Sequence, residues 1–110
     1  MPTDEAMTES TPQPAPASGT PQPVSVSMPS GASVLMVTAF VPNPVTVSVG
    51  TTITWTNDDN VPHTVSSQNN LWDSGNLSPG ATYSRTFQSP GSYAYYCVYH
   101  PRMVGTVNVQ

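Results

Sequence analysis

The chain has 110 residues, a net charge of −4 and one cysteine. That length allows a single domain, a lone cysteine excludes an internal disulfide, and two arginines without any lysine leave no basic stripe for nucleic acid. The charge is uneven: Asp4, Glu5 and Glu9 lie near the start, while the remainder sets Asp58, Asp59 and Asp73 against Arg85 and Arg102 and is close to neutral.

Six of the 13 prolines fall within the first 23 residues, among Thr, Ser, Gln and Ala. Such a composition buries too little apolar surface to offset ordering entropy, so residues 1–21 are expected to form a flexible or polyproline-like tail. It reads either as a semi-rigid stalk spacing the domain from a membrane anchor or as a disordered end. Met1-Pro2-Thr3-Asp4 does not resemble an export signal, and the expectation is that any signal or lipid anchor was removed upstream of it. The longest apolar run, Val34–Val37, is far too short to span a membrane.

Residues 22–110 are expected to be the folded domain. Val24, Val26 and Met28 alternate with serines until Pro29-Ser30-Gly31 breaks the run. Residues 33–41 are rich in β-formers, and Pro42-Asn43-Pro44 then forces a turn. Val45, Val47 and Val49 alternate with Thr46 and Ser48; Ile53 and Trp55 alternate with threonines; Val61–Ser67, Thr82–Phe87, Ser92–Cys97 and Met103–Val109 complete the set. Turn signals recur at Asn57–Asn60, Ser78-Pro79-Gly80 and Ser89-Pro90-Gly91. Seven or eight short strands at this spacing predict an all-β Greek-key sandwich or small barrel. Residues 68–77 fit either a short helix or an irregular crossover. Trp55, Phe87, Tyr93, Tyr95, Val107 and Val109 read as core.

The chemistry lies in four residues. Cys97, His100 and Met103 form Cys-x2-His-x2-Met between the last two strands, and His63 comes from an earlier strand. Two imidazoles, one thiolate and a weak thioether are the donor set of a mononuclear type 1 copper site. Structural zinc sites take four Cys or His ligands, and Met is not among them. Taken singly, each has an ordinary reading: a capping histidine, a small buried hydrophobe, a core methionine. Together they include the only cysteine and both histidines of the chain. Four protein donors leave no open position for substrate, so one-electron transfer fits better than catalysis. A Cys–His nucleophile would need a third group to orient the base. A copper carrier or storage protein would use the same soft ligands, and a metal-free adhesive sandwich is the remaining rival.

On these residues the chain resembles the cupredoxins, specifically their plastocyanin/amicyanin-like branch. The resemblance covers roughly residues 24–110 and rests on Val61-Pro62-His63-Thr64-Val65, Trp72-Asp73-Ser74-Gly75, Ser78-Pro79-Gly80, and Tyr93–Cys97 running into His100-Pro101-Arg102-Met103-Val104-Gly105-Thr106-Val107. The short gap from His100 to Met103 is similar to that of amicyanin. The resemblance implies an eight-stranded Greek-key sandwich with one copper ion, Cu(I)/Cu(II), under one end. It also implies a monomer shuttling electrons between transiently docked redox proteins in the periplasm or another extracytoplasmic compartment. His100 is expected to be the exposed ligand, ringed by Pro62, Pro101, Arg102 and by Met36 or Phe40. Tyr96 would offer a second electron route, and protons would compete with Cu(I) for an accessible His100 nitrogen. Two positions depart from the family: Thr64 stands where Asn is frequent, and Tyr99 where plastocyanin and amicyanin carry Pro. Thr64 is expected to brace the second ligand loop through its hydroxyl. Unlike proline, Tyr99 has a backbone N–H, so Cys97 sulfur is expected to accept bonds from residues 64 and 99, with a raised potential.

Overall fold

The computed structural model describes residues 21–110. The tail expected over residues 1–21 therefore lies, except for Pro21, outside the described residues. Seven strands are present among them: β1 (Val24–Met28), β2 (Val45–Val47), β3 (Thr51–Asn57), β4 (Ser66–Ser67), β5 (Thr82–Phe87), β6 (Gly91–Cys97) and β7 (His100–Val109). They form two sheets, one in the order β1-β3-β5 and the other β2-β7-β6-β4. The pairs β1/β3 and β2/β7 are parallel and the rest antiparallel. This is an all-β cupredoxin sandwich.

Side-chain alternation decides which face of each strand is inside. On β3, Thr51, Ile53, Trp55 and Asn57 are buried while Thr52, Thr54 and Thr56 look outward. Two of those outer threonines pair with β5 hydroxyls, Thr52 with Thr86 at 2.6 Å and Thr54 with Ser84 at 2.7 Å. On β7, Met103, Gly105, Val107 and Val109 face inward. The two inner faces meet in an aromatic core. Trp55 stands edge-on to Tyr95 at 5.4 Å between centroids, and Phe40 does so at 4.7 Å. Trp72 stands edge-on to Phe87 with the Arg85 guanidinium over its ring. Gly105 has no side chain because none fits: a Cβ there would collide with the Tyr95 ring.

Three local expectations need correction. Residues 33–41, rich in β-formers, do not make a strand. They form two 3-10 turns, Ala32–Val34 and Met36–Thr38, and only Val41 pairs, bridging to Ser27. Gly31 at φ 81° and Met36 at φ 54° turn the chain where β structure would have continued it. The result leaves Val34 76% and Val37 62% exposed. Phe40, expected at the docking surface, is instead fully buried against Tyr95. The strand expected over Val61–Ser67 shrinks to Ser66–Ser67. Pro62 cannot donate to a ladder, and the segment pairs instead with the crossover downstream. His63 bridges Leu77 and Ser66 bridges Asp73. Of the two readings for residues 68–77, the crossover is the one observed. It is tied down by Ser74 N–H donating to Val65 O at 3.0 Å and Val65 N–H to Ser74 Oγ at 2.8 Å.

Candidate metal centre

The β6–β7 connection is as short as a hairpin can be. Cys97 pairs directly with His100, leaving Val98 and Tyr99 as a two-residue turn. The next pair is Tyr96 with Val104, so Pro101, Arg102 and Met103 form a bulge on β7. A bulge re-aims side chains near a sheet end. Here it leaves Pro101 and Arg102 exposed and Met103 fully buried. Cys97, His100 and Met103 thus come from one bulged hairpin.

His63 comes from the other side of the same sheet. Its backbone is fixed by reciprocal bonds with Leu77, His63 N–H to Leu77 O at 3.1 Å and Leu77 N–H to His63 O at 2.8 Å. The ring is fully buried. His63, Cys97 and His100 each place one donor atom within 4.8 Å of the others. Cys97 Sγ lies 3.7 Å from His63 Nδ1 and 3.6 Å from His100 Nδ1. His100 is only half-buried, whereas Cys97 and His63 are closed off from solvent. A small cage of two imidazole nitrogens and a sulfur, with a buried thioether on the same hairpin, fits copper by donor chemistry.

The neighbours of these groups are specific. Thr64 N–H donates to Cys97 Sγ at 3.3 Å. Thr64 Oγ1 accepts the Val98 N–H at 2.9 Å and pairs with Ser66 Oγ at 3.0 Å, so one residue joins the His63 segment to the turn after Cys97. A second backbone donor to the sulfur was expected from Tyr99. Among the described residues, the hydrogen-bonded neighbours of the Cys97 sulfur are the Thr64 N–H and the two histidine Nδ1 atoms, and the Tyr99 N–H is not among them. The Tyr99 side chain is 48% exposed and its hydroxyl donates to Asn76 Oδ1 at 2.9 Å. Tyr96 is half-buried on the face opposite Tyr95 and Cys97, beside Ser66, Trp72, Asp73 and Val98 in a shallow pocket. Pro62 is exposed next to His63.

One residue of this site escaped the sequence reading. Asp59, itself buried, accepts the His63 Nε2–H on Oδ2 at 2.8 Å. Its Oδ1 accepts the amides of Gly31 at 3.0 Å and Asn60 at 2.8 Å. Burial alone would raise the Asp59 carboxyl, but the His63 hydrogen bond and the two amides outweigh it and hold it below the ordinary aspartate value. Asn57 supports the same loop: its Oδ1 accepts Asp59 N–H, and its Nδ2 donates to Val61 O and Leu77 O, all at 2.9 Å. In the sequence these residues read only as a turn. The sole signal was an acid four residues before a ligand histidine, which does not say which way the acid points.

Comparison with known proteins agrees with the geometry. Residues 24–110 match the family described as copper binding proteins, plastocyanin/azurin family. A plastocyanin from Scenedesmus fuscus is 33% identical over 84 residues, covering 64% of this chain and 86% of that protein. Amicyanin-alpha of Methylorubrum extorquens is 35% identical over 71 residues, covering 60% of this chain and 60% of that protein. Among solved structures, a purple cupredoxin from Nitrosopumilus maritimus superposes with a TM-score of 0.73 at 36% identity, covering 79% of this chain and 99% of that one. With its strands, its donor cage and its relatives in agreement, the chain belongs to the copper-binding plastocyanin/azurin family, and its site is that of a type 1 copper electron-transfer protein.

Proposed function

We propose that the protein shuttles single electrons between redox partner proteins, using one copper ion held by His63 Nδ1, Cys97 Sγ, His100 Nδ1 and the Met103 thioether. The observation that carries this reading is the convergence of three donor atoms from the chain's only cysteine and both of its histidines. When bound, copper supplies a Cu(I)/Cu(II) couple at a site of soft and borderline ligands. The residues supply rigidity. The hairpin pairing, the Thr64 bridge and the His63–Leu77 bonds hold the donors in place before any metal arrives. Burial of Cys97 and His63 keeps water from the thiolate, and the Thr64 N–H stabilises its charge.

His100, half-buried and flanked by exposed Pro101 and Arg102, is the proposed exit for electrons, with Pro62 and the exposed Met36 completing a small docking face. Contacts of this size suit weak, transient redox encounters, with Arg102 available to steer an acidic partner. Tyr96, adjoining Cys97 on the outer face, is proposed as a second route. The chain carries electrons rather than catalysing a reaction: its four donors fill the site, and no third histidine exists for another copper. We place the working protein outside the cytoplasm as a monomer, residues 22–110 being the redox module and residues 1–21 a spacer to a tether. The family resemblance and the Pro-rich composition support that placement.

Adding Cu(II) to the purified protein tests the reading. It predicts one bound ion, an intense visible thiolate-to-copper band and a reversible one-electron wave. A colourless product whose metal uptake survives Cys97→Ser overturns it. Rapid loss of copper to a mild chelator favours the carrier function over the shuttle.

A further inference from the structure

Asp59 is a buried carboxylate with both oxygens engaged. Oδ1 is held by two backbone amides, Gly31 from the turn after β1 and Asn60 from its own loop, so Oδ2 is left facing His63 Nε2 at 2.8 Å. The Asp59 amide is itself pinned by the buried Asn57 side chain. An ionised carboxylate can only accept, so the ring proton of His63 must sit on Nε2. That leaves the Nδ1 lone pair pointing toward Cys97 sulfur, 3.7 Å away. Partners of this kind fix the tautomer and orientation of metal-binding histidines and raise their basicity.

Resting on the proposed copper site, we infer that Asp59 is a positioning residue of the metal centre, presenting His63 Nδ1 to the ion and, through its negative charge one imidazole away, favouring Cu(II) over Cu(I). The sign comes from counting charges. The Cys97 thiolate and the Asp59 carboxylate together balance Cu(II), whereas Cu(I) leaves the buried cluster one negative charge in excess. Uncompensated charge in a closed site is costly. Among the described residues, His63 is the only ionisable hydrogen-bond partner of Asp59, and neither arginine side chain pairs with it.

The isosteric Asp59→Asn variant removes the charge and keeps the size, its single amide oxygen replacing one of the two carboxylate acceptors, either the one on the Gly31 and Asn60 amides or the one on His63 Nε2–H. At the midpoint potential of the unmodified protein, its Cu(I):Cu(II) ratio is expected to rise about tenfold, a midpoint about 59 mV higher for a one-electron couple. A merely structural role would lower thermal stability without moving the midpoint, and an unmoved or lowered midpoint overturns the inference. Nitrogen-15 NMR of the unmodified, copper-free protein gives an answer that needs no variant. A neutral His63 ring protonated on Nε2 supports the assignment, and one protonated on Nδ1 overturns it. The failure of the parent reading looks different: copper-loaded unmodified protein would then show neither the visible band nor a reversible wave.

Discussion

The two arms of the metal site are built by different means. The arm carrying Cys97, His100 and Met103 is local, a hairpin with a two-residue turn and a bulge, and its order comes from pairing between neighbouring strands. The arm carrying His63 has almost no regular structure. It is held by bridges to Leu77 and Asp73, by the Asn57 side chain, by the Asp59 carboxylate and by the Thr64 hydroxyl. Strand pairing tolerates many side chains because the backbone makes the bonds. A loop held by side chains tolerates few, because each lost partner strands a buried polar group. The hairpin arm should therefore fail through its ligands, and the loop arm through residues that touch no metal.

The sharpest break is on the hairpin arm. Cys97→Ser removes the only thiolate and should abolish the visible band in copper-loaded protein, while the hairpin, made by backbone bonds, still folds. Circular dichroism and absorption measured on one sample distinguish the two. On the loop arm, Asn57→Ala should give the largest stability loss of any residue outside the ligand set. It leaves the buried Asp59 amide unpaired, frees the part-buried Val61 carbonyl and takes one of two donors from Leu77 O, which keeps the His63 N–H. Together these losses amount to about 2–3 kcal/mol, measurable by urea denaturation of the copper-free protein. A loss below about 1 kcal/mol would show that the loop is held by something other than side chains.

Gly105→Ala probes the sheet that carries the hairpin. The new methyl meets the Tyr95 ring, which is fully buried between Phe40 and Trp55 and has little room to retreat. Overpacking of this kind costs about 1–3 kcal/mol. A smaller effect comes from Thr64→Val, which keeps the size and the backbone donor to sulfur but loses the oxygen that receives Val98 N–H. One half-buried amide left unpaired costs about 1–2 kcal/mol. The colour should survive and copper should leave faster, because the two arms lose their bridge.

The same contrast explains what the sequence made legible. Strands such as β3, β5 and β6 announce themselves because strict alternation on a two-sided sheet has one solution. The ligand trio after β6 is a short-range pattern, and short-range patterns survive translation into space. The stretch 33–41 misled because its valines and Leu35 favour β structure one by one, while two left-handed residues, Gly31 and Met36, decide the path. Phe40 was misplaced for the same reason, its burial depending on a turn that propensity does not encode. Asp59 and Asn57 were invisible because their roles exist only once a loop has folded back. An Asn-Asp-Asp-Asn run looks the same whether its acids face water or a histidine.

Tyr99 gives the smallest effect and the finest test of the comparison. Its place in the sequence suggested a second amide on the Cys97 sulfur and hence a raised potential. In the folded turn the neighbouring Val98 amide is committed to Thr64, and Tyr99 reaches outward instead, its hydroxyl on Asn76 at the surface. Replacing Tyr99 with Pro should then leave the midpoint potential where it is, since the deleted N–H was not bonded to sulfur. Tyr99→Phe, which removes one exposed hydrogen bond, should cost no more than about 1 kcal/mol. A clear drop in potential for the proline variant would mean that the local arm also tunes the thiolate through its own amides. The division of labour would then fail, with the hairpin supplying electrostatics as well as ligands.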